Sequence, residues 1–186
     1  FLLMGNFGAT ALAAHNVLVG VMMFSVSLAV AFGHGASVRV AQELGGGHVA
    51  ASRRAGWLAE VAVVAVVLPI SVVIVLAPDL TTSIFLDPDD PANDATFVLA
   101  RELRWIAALF VVVQAVEVVI SRALRGRKDT FVPMFMSAVG FWLAGIPCGW
   151  LLAHEFDMGP LGLWIGMTTG FGMTAVLMLG RWRRTG

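Results

Sequence analysis

The sequence predicts an all-α, polytopic transmembrane helix bundle with five full spans and the tail of a sixth. Three observations predict it. The 186-residue chain is 59% hydrophobic and only 13% charged, with a mean hydropathy of +0.87. A soluble domain is roughly 45–50% apolar and about 25% charged. Five stretches reach the ~20 apolar residues that a bilayer-crossing helix needs. The charged residues between those stretches alternate in sign along the chain.

The elements follow in order. Phe1 to about Gly8 reads as the end of an apolar helix whose start lies upstream, with no basic flank of the signal-peptide kind. Full spans are expected over Thr10–Ala36, Gly56–Pro78, Leu103–Leu124, Thr130–Ala153 and Gly162–Leu179. Gly45-Gly46-Gly47 is expected to cap the first of these at its C-terminal end. Leu86–Asp94 (LDPDDPAND) is a Pro- and Asp-rich breaker between helices. It lacks the regular ligand spacing and glycine of a calcium loop, so a solvated loop is expected and no metal site. Pro69, Pro133 and Pro147 lie inside or at the start of spans, where proline bends a helix or frees a carbonyl. Gly140, Gly145 and Gly149, with Ala144, permit close helix approach.

The net charge of zero conceals segregation by sign. Arg39, Arg53 and Arg54 follow the first full span. Arg122, Arg125, Arg127 and Lys128 follow the third, and Arg181, Arg183 and Arg184 follow the fifth. The intervening turns carry Asp79, Asp87, Asp89, Asp90 and Asp94, then Glu155 and Asp157. Ten of the twelve Lys and Arg thus fall on one side, which the positive-inside rule makes cytoplasmic, with the C-terminus there too. A multi-pass protein of the cell (inner or plasma) membrane is expected, with the lipid bilayer as its surroundings and no nucleic-acid partner. The single Cys148 excludes an internal disulfide framework and a multi-Cys metal site. No hydrolase triad, P-loop or HExxH motif occurs, so neither an enzyme nor a cofactor is expected and pumping must draw on an ion gradient.

The third span holds the candidate site. Gln114 lies about 15 Å from each end of it at ~1.5 Å per residue, near the bilayer midplane. Glu117 and Ser121 follow at helical spacing on nearly the same face, making a polar stripe on a Val-rich helix. Polar and charged groups in a span mark functional sites facing a cavity. A carboxylate that exchanges a proton or a sodium ion would suit a coupled transport cycle. The alternative reading has Glu117 paired with Arg122 or Arg125, or bonded to a neighbouring helix, fixing the packing only. His15 and Asn16, one turn into the first full span, are further coupling or cavity candidates, as imidazole can change charge near neutral pH. Ser25, Ser27 and His34 share that span. Nine Met and twelve Phe offer an adaptable apolar surface.

After the stripe comes Leu124-Arg125-Gly126-x-x-Asp129-Thr130-x-x-Pro133. This block resembles the loop after the tenth helix of multidrug and toxic compound extrusion (MATE) transporters. Gly8-x-x-Ala11-Leu12-Ala13-Ala14-His15-Asn16 resembles the entry to that family's eighth helix, which usually ends His-Gln, and Ser37-x-Arg39-Val40-x-x-x-Leu44-Gly45 its inner end. Trp142-x-x-Gly145-Ile146-Pro147 resembles a segment of the eleventh helix. Gly159-x-x-Gly162-Leu163-Trp164-Ile165-Gly166 resembles the entry to the twelfth. The resemblance covers nearly the whole chain.

The resemblance implies one lobe of a two-lobe MATE-like transporter: residues 1–186 as the C-terminal lobe, short of most of its first helix, with an N-terminal lobe as its missing partner. It implies antiport by alternating access, exporting drugs or other small organic, often cationic, compounds against inward sodium ion or proton flow. The acidic position of some sodium-coupled members falls at Gln114 here, with Glu117 one turn away. A second acid of such members would lie before Phe1, and the coupling carboxylate of proton-coupled members would lie in the other lobe. Two alternatives share the features above. A lipid-linked precursor flippase of the related superfamily would call for a basic cavity, and no Lys or Arg stands at midplane depth. A non-transporting gene fragment is the other. A membrane-embedded enzyme would need paired catalytic groups at one depth, which Gln114 and Glu117 do not form.

Overall fold

A computed structural model describes residues 2–184, and among these it contains helices and turns without a strand. Helix α1 (Leu2–Gly5) is a single turn; Phe1 lies outside the described residues. The long helices are α2 (Ala9–Gly45), α3 (Val49–Leu76), α5 (Asp94–Gly126) and α8 (Gly159–Arg184), with α4 (Pro78–Ser83) between α3 and α5. One further span is composite: α6 (Phe131–Val139), a π-helical segment (Gly140–Gly145) and α7 (Ile146–His154). Five helical stretches are long and apolar enough to cross a membrane: Ala9–Gly45, Val49–Leu76, Pro91–Gly126, Phe131–His154 and Gly159–Arg184.

Each expected span is present, and most run longer than their apolar cores. Helix backbone bonds are internal, so a helix continues past the hydrocarbon wherever its polar residues find partners. Helix α2 passes Ala36 through Arg39 and Glu43, which pair one turn apart at 2.9 Å. It ends where the triglycine predicts. Gly47 adopts φ +80°, the His48 N–H donates to the Glu43 carbonyl and the Gly47 N–H to the Leu44 carbonyl, which is a Schellman closure. Helix α5 ends the same way, with Lys128 at φ 63° in the glycine role. The Leu86–Asp94 loop folds on itself: Asp87 and Asp90 accept from the backbone N–H groups of Asp89 and Ala92.

Helix α5 is the hub. It packs against α2, α3, α4 and α8, whereas α7 packs on α8. The amino acids decide this arrangement. Helix α5 carries the buried polar stripe Gln114, Glu117 and Ser121, and its own small residues (Ala100, Ala107, Ala108, Ala115, Ala123) let neighbours close on it from several directions. The α7–α8 contact is glycine on glycine. A Cβ on Gly145 would lie 3.2 Å from Gly170 Cα, and one on Gly149 would lie 3.4 Å from Gly166 Cα. The expected close approach through Gly140, Gly145 and Gly149 is therefore realised, with Gly162, Gly166 and Gly170 as its other half.

The prolines differ in effect. Pro133 is the third residue of α6, where no helical bond is lost. Pro147 is the second residue of α7, one residue past the π segment, a widened turn of the kind that absorbs a break in the i→i−4 ladder. Pro69 lies within α3 without dividing it. At the acidic end of the bundle, Arg101 joins two helices. It donates two hydrogen bonds to Asp79, at 2.5 and 2.9 Å, and ties α5 to α4. These bonds hold the Asp79 carboxyl below its ordinary value.

Two predictions follow from this packing. Gly166→Leu would force a side chain into the Gly149 backbone; overpacking of this kind costs about 1–3 kcal/mol. Thermal unfolding in detergent should drop measurably for Gly166→Leu and hardly at all for Gly35→Leu, where a Cβ meets open space. The Asp79 clamp has a sign: a depressed carboxyl contributes stability above its unfolded value and loses it as pH falls through its folded value. Arg101→Gln should therefore melt lower than the parent at neutral pH, and the difference should vanish once the medium is acidic enough to protonate Asp79.

Candidate functional site

The polar stripe of α5 faces protein, not lipid. Gln114, Glu117 and Ser121 retain only 6%, 8% and 7% of their exposure. The stripe is set against α2 by two close approaches. Gly33 of α2 lies against the Arg122 side chain, and Gly126 lies on the backbone of Ser37, where a Cβ would stand 3.0 Å from Ser37 Cα. These two pairs share one offset between parallel helices. Carried back along both, it sets Gln114 abreast of Ser25, whose buried hydroxyl has no hydrogen-bond partner. The neutral amide and that hydroxyl thus stand at one depth, a turn further from the basic end than Glu117.

Glu117 combines the two readings that its position allows. The Ser137 hydroxyl of α6 bonds to its carboxyl group, and Arg125 and Arg122 act on it from further along the helix. It is bonded to a neighbouring helix, as a packing residue would be. It also stands beside a serine and below two guanidinium groups, as an ion-exchanging residue would. Arg122 is engaged on its far side by His34 of α2, with Nη1 to Nε2 at 3.0 Å. Ser121 completes the stripe one turn beyond Glu117.

His15 and Asn16 are not part of this constellation. By the same helix offset His15 stands level with Arg104, roughly 15 Å of helix rise from Gln114. Its ring meets Trp164 edge-on at 5.6 Å, and Trp164 in turn meets Phe110, at 5.9 Å. Phe110 lies one turn before Gln114 on α5. His15 lines a cavity of about 470 Å³ with Met4, Phe141, Gly145, Gly149 and Leu163. Asn16, the next residue, points away and is exposed.

The loop after α5 is a structural joint. Gly126 allows the close contact with α2. Arg127 lies over the Trp182 ring, 4.0 Å from its centroid. Asp129 accepts from Arg181 Nε at 2.5 Å and so fastens the loop to α8. Thr130 is the N-cap position of α6 without a side-chain capping bond, and its carbonyl accepts from the Met134 N–H. Pro133 is buried in the first turn, while Arg125 is exposed at the rim.

One buried acid escaped the reading of the sequence. Glu60, in the run Trp57-Leu-Ala-Glu-Val-Ala-Val of α3, is only 5% exposed. Both of its carboxyl oxygens are buried without a hydrogen-bond partner. The signal was available: it is the same feature, a carboxylate in an apolar span, that drew attention to Glu117. Ser137, which bonds Glu117, carried no such signal, because a lone serine in an apolar helix is common packing.

Comparison with known proteins agrees with this architecture. The profile of the family described as MatE matches residues 1–151. The chain is 40% identical over 182 residues to a probable multidrug resistance protein NorM of Brucella suis, covering 98% of this chain and 39% of that protein. It is 41% identical over 182 residues to the multidrug resistance protein NorM of Burkholderia vietnamiensis, with the same coverage. The crystal structure of the eukaryotic MATE transporter AtDTX14 superposes with a TM-score of 0.83 at 24% identity, over 92% of this chain and 38% of that one. The chain spans about two fifths of the length of the curated relatives it matches. It corresponds to one lobe of such a protein, and with its five apolar spans it is multi-pass and membrane-embedded. Family profile, relatives and fold agree: this chain belongs to the MatE family.

Proposed function

We propose that this lobe serves secondary active efflux of drugs or other organic compounds, driven by inward sodium ion or proton flow through alternating access. The observation that carries the reading is the buried stripe Gln114–Glu117–Ser121 on the helix that every other long helix touches or neighbours. The relatives that bear the name multidrug resistance protein support the substrate class. Apolar walls rich in Met and Phe would admit organic cations of varied shape.

In this reading Glu117 is the exchanging group. Occupied by a proton or a sodium ion it is neutral and tolerates the apolar surroundings; emptied, it is an anion that attracts a cationic substrate. Gln114 and Ser121 supply neutral hydrogen-bonding groups on either side. Arg122 and Arg125 favour release of the ion on the basic side, which the positive-inside rule makes cytoplasmic along with the C-terminus. The partner would be a second six-helix lobe, the two rocking about a midplane site.

The test is ethidium efflux from cells that carry the protein at matched membrane levels. Glu117→Gln should lower efflux several-fold or abolish its dependence on external pH and sodium. Gln114→Ala should weaken efflux and leave the pH response in place. Full efflux by Glu117→Gln from mildly acidic to mildly alkaline pH would remove the coupling role from this residue.

A further inference from the structure

Glu60 stands on a different face of the bundle from the Gln114–Glu117 stripe. On α3 the buried positions Ser52, Gly56, Glu60, Val63, Val67 and Ile74 form one face. Two contacts fix what that face meets. The Ser71 hydroxyl donates to the Ala108 carbonyl of α5 at 2.9 Å, and Gly56 seats the ring of Trp182 of α8. Both neighbours run antiparallel to α3. Carried along α3 and α5, which pack along their length, the first contact sets Glu60 abreast of Val119, while α8 reaches this face through the Trp182 ring. The Val119 and Trp182 side chains are fully buried. The carboxyl group is thus held on the buried face of α3, in the seam that α3 forms with α5.

Several charged and titratable groups of the surrounding elements are engaged elsewhere. On α2, His34 meets Arg122, while Arg39 pairs with Glu43. On α5, Glu117 bonds to Ser137 of α6. On α8, Arg181 bonds to Asp129 and Arg183 lies over Trp57. Arg127 is stacked on Trp182, toward the basic end. On α3 itself, Arg53 and Arg54 lie about two turns away, also toward that end. None of these groups hydrogen-bonds the Glu60 carboxyl. The Trp182 ring, seated on Gly56, closes the seam between Glu60 and the basic end.

An isolated carboxylate in such a place costs far more than the fold can supply, because neither solvent nor counter-charge offsets its desolvation. The group persists either as a neutral acid or by sharing the site with a cation. Two ligand oxygens from one carboxyl, with no cluster of His, Cys, Asp or Glu to hold a metal among the described residues, make a poor cage for a metal ion, which needs several oxygens. A proton needs no cage. We propose that Glu60 is a second proton-binding site of the lobe, separate from the α5 stripe and closed off from the basic end by Trp182 on Gly56. The proposal stands apart from the efflux reading, since proton occupancy is read without transport.

The experiment is infrared spectroscopy of the purified protein in lipid, titrated with pH and compared with Glu60→Gln in a Glu117→Gln background. A carboxylic-acid carbonyl band should be present near neutral pH in the background protein and absent in the double variant. Sodium at fixed pH should leave that band unchanged. Identical spectra in the two proteins would overturn the proposal, and so would a band that sodium abolishes at fixed pH. Should the double variant fail to fold, the unmodified chain is treated with a lipid-soluble carbodiimide, which adds to protonated carboxyl groups, and mapped by peptide mass. An adduct on Glu60 near neutral pH is the expected result, and an unlabelled Glu60 overturns the proposal.

Discussion

The lobe is organised by the cost of leaving a polar group in hydrocarbon. Backbone amides meet that cost by staying helical throughout the spans. Side chains meet it by turning inward, and this selects which helix sits at the centre. Helix α5 carries Gln114, Glu117 and Ser121 along one face, so it must be surrounded. Helices α2, α3 and α8 supply the surround. The lipid-facing load falls on helices that can bear it, such as α3, whose outward residues include Leu58, Val61, Leu68 and Leu76.

Packing then depends on residues without side chains. Where α7 meets α8, glycine faces glycine, and where α5 meets α2, Gly126 lies on the Ser37 backbone. There is little hydrophobic drive between helices in lipid, so close van der Waals approach has to hold them together. The loop after α5 adds the polar fastening. Asp129 to Arg181 and Arg127 on Trp182 lock the end of α5 to the end of α8 at the basic face. A residue whose ionisation changes on α5 therefore acts on a helix tied to its neighbours at several points. That is what a carboxyl group needs if it is to move more than itself.

Much of this was legible in the sequence, and the exceptions have physical causes. The five spans follow from apolar length, and their order of charges from the alternation of loops. The stripe on α5 was visible because helical spacing puts Gln114, Glu117 and Ser121 on one face whatever surrounds them. His15 and Asn16 were legible as polar residues in a span, but not in their destinations. Adjacent positions on a helix point about 100° apart, so one is buried against Trp164 and the other exposed. The depth that separates His15 from Gln114 is set by the α2–α5 offset, which arises from tertiary contact and has no local signature. The partners of charged residues were hidden for the same reason: Arg101 with Asp79, Asp129 with Arg181 and Glu117 with Ser137 each join separate elements.

The account comes down to whether the carboxyl group of Glu117 exchanges an ion for substrate. The most direct measurement is ion release by the purified protein in lipid when a cationic dye binds, read with a pH indicator and a sodium electrode. Binding should displace protons or sodium ions from the parent protein, and Glu117→Gln should bind the dye without that release. Equal release from both proteins would contradict it.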